Sequence, residues 1–347
     1  MESLKSKHYL ILSFVVSLIF VSCSSTDKEA NFKVEQGYAL GTTYTIKYEA
    51  TDEEQNLKPL IEAVFDTVNM SMSTYLPTSD ISAINRGDST IAVDKYFKEV
   101  YVTAKEVYKK TGGFFDPTIG ALANAWGFGP EMAIDHMKKS EVDSLLEFTG
   151  FDKVYMSDDQ RVIKKNKNIY LDFNALAKGY TIDLIGRMFD RNKVKNYLIE
   201  VGGEILTRGN SKTTNKVKNW VVAIDSPTQD TEQRVLIAKV QLKDKAMATS
   251  GNYRKFRVDE ETGEHYVHII NPLTGYPQKS NVLSVSVVAQ TCMVADAYAT
   301  ALMVMPLDKA KELLKSTSEI DAYIISADKD GDLVEYKTKG FQELLLD

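Results

Sequence analysis

Cysteine is almost absent from this chain: its 347 residues contain two, Cys23 and Cys292. A disulfide framework is therefore excluded, and the fold must rest on its core. A surplus of positive charge is missing as well, because 42 Lys and Arg face 48 Asp and Glu for a formal net charge of -6. That balance removes the usual ground for a nucleic-acid partner. Long apolar runs are also lacking, since the N-terminal one, Tyr9 to Val21, is short for a membrane-spanning helix. No internal repeat interrupts the chain, and 44% hydrophobic residues are enough for a sizeable core.

What is present begins with MESLKSKHYLILSFVVSLIFVSCSS, a basic start at Lys5 and Lys7, an apolar run, and small residues around Cys23. This order reads as a secretory signal peptide over residues 1–22. The stretch FVSC resembles a lipobox, whose cysteine is lipidated and becomes the new N-terminus. Residues 23–36, including TDKEANFKVEQ, then read as a lipidated N-terminus and tether, and 37–347 as one domain held at a membrane and facing the periplasm. With Cys23 lipidated, Cys292 has no partner and is expected as a small buried hydrophobe.

Along the domain, YALGTTYTIKYEA alternates like a strand, with Gly41 as an expected bulge or point of close approach. NLKPLIEAVFDTVNMSMS reads as a helix with Leu57, Leu60, Ile61, Val64 and Val68 on one face. TYLPTSDISAIN reads as an irregular loop with a cap at Ser79 or Asp80, and YFKEVYVTAKEVYKKTG as a helix closed by Gly112. A charged helix is expected in EMAIDHMKKSEVDSLLEF. RVIKKNKNIYLDFN should be a hairpin whose last strand enters the helix NALAKGYTIDLIGRMF, which buries Leu176, Ala177, Tyr180, Leu184 and Met188. Six strand-like runs follow, and the tail YIISADKDGDLVEYKT carries a DG hairpin turn. The elements lack the strict βαβ rhythm of a doubly wound sheet. The class is therefore mixed α+β, with the strand-rich portions sharing one core.

Three stretches could carry chemistry. In the apolar helix MVADAYATALMVM, Asp296 and Thr300 are four apart and share one face. A buried carboxylate needs a partner, which is either a basic residue, the helix start, or a hard metal ion suited to carboxylate and hydroxyl oxygens. The stretch holds no cysteine or histidine, which argues against zinc. In LDFNALAKGYTID, Asp172 and Asn174 stand where a strand enters a helix. Asp172 reads as an N-cap, and the same junction can receive a phosphate with Lys178 adding charge. In HYVHIINPLTGYP, His265 and His268 lie on opposite faces of a strand, so one of them can face a pocket before the turn at Asn271, Pro272 and Gly275.

Taken in order, YALGTTYTI, STYLPTSDISAIN, GGFFDPTIGALANAWGFG, LDFNALAKGYTID, VGGEI, ATSGNYR, HIINPLTGYP and ADAYATAL resemble the ApbE family of FAD:protein FMN transferases, from about Gly37 to Met305. The resemblance implies a T-fold-like α+β domain that takes FAD as substrate and uses Mg²⁺. It further implies transfer of FMN through its phosphate to a threonine or serine hydroxyl of an exported target protein, with release of AMP.

Carried over block by block, the family's metal ligands fall on the backbone carbonyl of Ala175 and the side chains of Asp296 and Thr300. Its flavin pocket falls on Leu40, Tyr75, Phe114, Phe115, Asp116, Asp172, Lys178 and Ile270. Its histidine falls on His268, the candidate general base, with Asp296 as the rival. Asn174 and Leu40 depart from the glycine and methionine that relatives often carry there. The resemblance leaves open an FAD pyrophosphatase yielding FMN and AMP, and a non-catalytic FAD-binding lipoprotein. A structural or adhesion lipoprotein is the remaining reading.

Overall fold

The computed structural model describes residues 32–52, 54–134, 136–213, 216–227, 235–251, 256–258, 265–267, 269–277 and 281–346. The stretch read as a signal peptide, and Cys23, lie outside these residues. Among the described residues no helix is long and apolar enough to cross a membrane.

One eight-stranded sheet orders the domain: β1 (Phe32–Ala39), β2 (Thr42–Glu49), β3 (Tyr197–Val201), β4 (Glu204–Arg208), β5 (Ala246–Gly251), β6 (Val282–Ala289), β7 (Ile320–Ala327) and β8 (Leu333–Lys337). Its spatial order is its chain order, and every neighbouring pair is antiparallel. Strands from both ends of the domain thus share one sheet, although 147 residues separate β2 from β3.

That long insertion carries α1 (Lys58–Met72), α2 (Asp80–Asn85), α3 (Lys95–Lys110), α4 (Gly120–Ala125), α5 (Lys139–Leu146) and α6 (Asn174–Arg191). Between β6 and β7 lie α7 (Cys292–Val304) and α8 (Leu307–Ser316). Alternation along the strands serves two layers. Val285, Val287, Ala322 and Ile324 join the helices in the main core. Met247, Val288, Tyr323 and Ile325 pack against the three-stranded sheet of Trp220–Asp225, Leu236–Leu242 and Leu345–Leu346. The middle of the large sheet is therefore covered on both faces, and β6 is buried at every position but Leu283, its serines Ser284 and Ser286 included.

Helix α7 lies in the middle of this core and is buried almost all round, including Asp296. Helix α6 packs along it and buries Leu176, Ala177, Tyr180, Leu184 and Met188 as the spacing predicts. The two approach closely because Gly179 has no side chain: a Cβ there would stand 2.4 Å from the carbonyl oxygen of Cys292.

Several expectations are corrected. Gly41 is not a bulge. Leu40 (φ 51°) and Gly41 (φ 73°) form the two-residue turn between β1 and β2, the left-handed pair that matches strand twist. β1 begins at Phe32, within the segment read as tether. Leu60 is exposed, because α1 turns Ile61, Phe65, Val68 and Met72 inward. TYLPTSDISAIN is irregular only in its first part. Its end is α2, whose cap is Ser79, accepting the N–H of Ser82 at 3.2 Å. Of the charged stretch 131–148, the helix occupies Lys139–Leu146 alone. The expected hairpin is Val154–Met156 against Val162–Lys164, and the chain then reaches α6 through one parallel bridge, Ile119 to Tyr170.

Candidate active site

The seam between α6 and α7 is antiparallel, and its register can be followed turn by turn. At one end Asp183 accepts the N–H groups of Cys292 at 2.8 Å and Met293 at 2.9 Å. One turn further along, the N–H of Gly179 donates to Asp296 Oδ2 at 3.2 Å. Continuing by four residues on each helix sets Ala175 opposite Thr300. The Gly179 N–H also faces the Ala175 carbonyl one turn below it, the ordinary helical acceptor, so that carbonyl and the Asp296 carboxylate gather about the same group. Ala175 and Asp296 thus border the same N–H group, and the helical repeat puts Thr300 one turn beyond Asp296 on α7.

Lys178 completes the cluster. Its ammonium lies 3.2 Å from Glu204 Oε1 and 3.8 Å from Asp296 Oδ2. Both carboxylates are buried, at 5% exposure for Glu204 and 3% for Asp296. Burial pushes the Asp296 carboxyl above the usual carboxylate range; Lys178 opposes that rise and Glu204 adds to it. Burial works against the Lys178 charge, but Asp296 and Glu204 outweigh it and hold the ammonium above its ordinary range.

Two carboxylates and one ammonium leave a net negative charge in a desolvated place, which a cation can balance. The Glu204 Oε2 atom is buried without a hydrogen-bond partner among the described residues. Among the described residues no three Asp, Glu, His or Cys side chains converge as a metal cluster. The donors that the resemblance names along the seam are instead one carboxylate, a carbonyl and a hydroxyl. This all-oxygen set suits Mg²⁺, which takes few carboxylates and completes its shell with water and substrate phosphates.

The remaining candidates surround the start of α6. Asp172 accepts the N–H of Asn174 at 2.6 Å and its side-chain amide at 3.1 Å, so it caps the first turn, while the N-cap position itself belongs to Phe173. Burial holds the Asp172 carboxyl up. Tyr75 stands near it, since burial first and the Asp172 charge second raise the phenol. The Tyr75 hydroxyl donates to the Phe128 carbonyl at 3.3 Å. Phe114 and Phe115 are buried in the main core with Phe173 and Leu176. Asp116 is engaged locally, accepting the Thr118 N–H at 2.8 Å and its hydroxyl at 2.6 Å. The bond from the Asp172 N–H to the Pro117 carbonyl, 2.8 Å, ties that segment to the entrance of α6.

Ile270 is buried against Leu122, Trp126 and Val142, beside the turn in which Gly275 donates to the Asn271 carbonyl at 2.8 Å. Leu40 sits on the other side, at the sheet end where the Gly202 N–H donates to the Thr43 carbonyl at 3.0 Å. The turns Leu40–Gly41 and Gly202–Gly203 therefore lie side by side, next to Glu204. His268 lies outside the described residues, as does the NYR of ATSGNYR.

The sequence reading missed Glu204, Asp183 and Gly179. A signal for Glu204 existed in VGGEI, where a charged residue follows a Gly pair between apolar strands. Asp183 had no local signal, since its partners are 109 and 110 residues away.

Comparison with known proteins places the chain in a family. The family model for the ApbE family matches residues 40–324. The FAD:protein FMN transferase of Haemophilus influenzae is 32% identical over 350 residues, covering 96% of this chain and 98% of the relative. That of Escherichia coli K12 is 30% identical over 329 residues, 91% of each. Among solved structures, the flavin transferase ApbE from Vibrio cholerae matches with a TM-score of 0.81 at 32% identity, over 91% of this chain and 100% of that one. The apbe protein from Thermotoga maritima matches with a TM-score of 0.79 at 25% identity, over 91% and 100%. With a match that spans most of its length and every candidate residue from Leu40 to Thr300, the chain belongs to the ApbE family.

Proposed function

We propose that this chain is an FAD:protein FMN transferase that moves FMN from FAD to a threonine or serine hydroxyl of an exported acceptor protein, with Mg²⁺, and releases AMP. The activity in its coarser form rests on family membership and on relatives that carry that name. The finer reading is supported by one observation: buried Asp296 meets both the Gly179 N–H of α6 and the Lys178 ammonium, one helical turn from Ala175 and from Thr300.

In this reading the acceptor oxygen bonds to the phosphorus of the FMN half of FAD. The bond from that phosphorus to the bridging oxygen breaks, and AMP departs with the electron pair. Lys178 offsets the charge of the anionic phosphate oxygens. Ala175, Asp296 and Thr300 would hold Mg²⁺, which when bound supplies Lewis-acid stabilisation of the same charge. Asp172 and Tyr75, which lie near each other, would border the flavin. The hydroxyl proton goes to a general base, a role that the resemblance assigns to His268. Export and membrane attachment through a lipid on Cys23 belong to the same proposal and rest on the N-terminal pattern.

The test is incubation of the protein with FAD, Mg²⁺ and a domain bearing a threonine acceptor, followed by mass spectrometry. The expected result is a gain of one FMN on the acceptor, abolished by a chelator and by Asp296→Ala. Free FMN and AMP with an unmodified acceptor would make it an FAD pyrophosphatase. Intact, tightly held FAD would leave a flavin-binding lipoprotein.

A further inference from the structure

Lys178 is shared unequally between two buried carboxylates, standing nearer to Glu204 (3.2 Å) than to Asp296 (3.8 Å). The same Asp296 oxygen, Oδ2, accepts the Gly179 N–H at 3.2 Å, so α6 offers it a neutral donor at closer range than the ammonium. Glu204 is fixed where it stands. It is the first residue of β4, paired with Val201 across the Gly202–Gly203 turn, whose two glycines have φ of 64° and 105°. One of its oxygens faces Lys178 and the other, buried, has no hydrogen-bond partner among the described residues.

An ammonium and a divalent cation compete for the same carboxylate, because each is stabilised by the negative charge that the other neutralises. We infer that Glu204 is a positioning residue that draws the Lys178 ammonium away from Asp296 and so keeps Asp296 available to a divalent cation. The inference rests on the proposed cation site and adds to it the residue that sets its affinity. Without the Glu204 charge, Lys178 has one counter-ion left and closes onto Asp296. A cation then has to displace it. The free Glu204 Oε2 remains open to a donor that arrives with the ligands.

The test uses Mn²⁺ alone, without FAD, titrated into the purified protein, with the electron paramagnetic resonance of free Mn²⁺ reporting binding. Glu204→Gln keeps the shape and an acceptor oxygen for Lys178 while removing the charge. It is expected to raise the Mn²⁺ dissociation constant roughly 10- to 100-fold, the usual range for a residue behind a metal ligand. Lys178→Met in the Glu204→Gln background is expected to restore affinity, and Lys178→Met alone to bind at least as tightly as the wild type. A purely structural role for Glu204 would not be rescued by removing Lys178.

Wild-type affinity in Glu204→Gln would overturn the inference, and so would a double variant as weak as the single one. No Mn²⁺ binding by the wild type would overturn both the inference and the Mg²⁺ site. Failure of FMN transfer with the expected pattern of Mn²⁺ affinities would count against the transferase reading alone and leave the role of Glu204 standing.

Discussion

Asp183 accepts the backbone N–H of Cys292 at 2.8 Å, so a side chain from the middle of α6 caps the start of α7. The N-cap residue of α7, Thr291, makes no such bond itself. Asp183→Ala leaves two buried N–H groups, those of Cys292 and Met293, without their acceptor. Each unsatisfied group costs about 1–3 kcal/mol, so the two together are expected to lower the unfolding free energy from denaturant titration by about 2–6 kcal/mol. Transfer activity should fall further than stability alone accounts for, because the cap also sets where Asp296 meets Gly179. Unchanged activity in the fraction that stays folded would separate the cap from the site.

Gly179 and Gly186 lie on the same helix but have different neighbours, which makes a paired test. A Cβ at Gly179 meets the Cys292 carbonyl oxygen at 2.4 Å and the Met293 nitrogen at 2.8 Å, both backbone, so α7 has to move. A Cβ at Gly186 meets the end of the Leu206 side chain at 2.7 Å, which can turn aside. Gly179→Ala is therefore expected to lose about 1–3 kcal/mol from overpacking and most of its activity, with Gly186→Ala clearly milder on both counts. Thermal melts and turnover of the two variants side by side would settle the order.

How much of this was legible in the sequence depended on whether the cause was local. The buried face of α6 could be read because helical periodicity repeats at short range: Leu176, Ala177, Tyr180, Leu184 and Met188 are all buried. Asp296 and Thr300 stood out because a carboxylate and a hydroxyl interrupt an apolar helix. Glu204 was missed because one charged residue at a strand start reads as solvent-facing, and only the packing of α6 on the sheet reveals its burial. The turn at Leu40 was misread because alternation continues through it, and a leucine does not advertise a positive φ. The charged stretch 131–148 held too few apolar positions to decide where its helix began, and the structure keeps only Lys139–Leu146.

Stability should carry an unusual pH trend in the acid range. Burial pushes the Asp116 carboxyl up to about 6, from an ordinary 3.8, against the hydrogen bonds from Thr118 that pull it down. The native state therefore holds this proton longer than the unfolded chain does. Its contribution is fully present below the ordinary carboxylate pKa and is lost as pH rises through about 6. Asp183 behaves alike, pushed up to about 6 by burial. Asp116→Asn keeps the acceptor oxygen for Thr118 and removes the titration. The loss of stability between about pH 4 and pH 7 should shrink in that variant by up to about 3 kcal/mol, without vanishing. An identical slope in the variant and the wild type would show that Asp116 titrates normally.

Leu40 offers a test of the flavin pocket that separates fold from function. Its left-handed backbone, φ 51°, costs a leucine about 1–2 kcal/mol, and Asn-Gly is the pair that such a two-residue turn prefers. Leu40→Asn relieves that strain. It also gives up the packing of a half-buried leucine against the cluster of Tyr44, Phe65 and Ile182, worth about 1–1.5 kcal/mol as half of full burial. The two effects nearly offset, so the melting temperature should move little. FAD affinity should not be spared, because any apolar contact between Leu40 and the flavin is lost with no compensation, about tenfold for each 1.4 kcal/mol. A variant that melts like the wild type and binds FAD several-fold more weakly would place Leu40 at the ligand. Unchanged affinity would mean that the turn keeps its leucine for packing alone, and would remove Leu40 from the pocket.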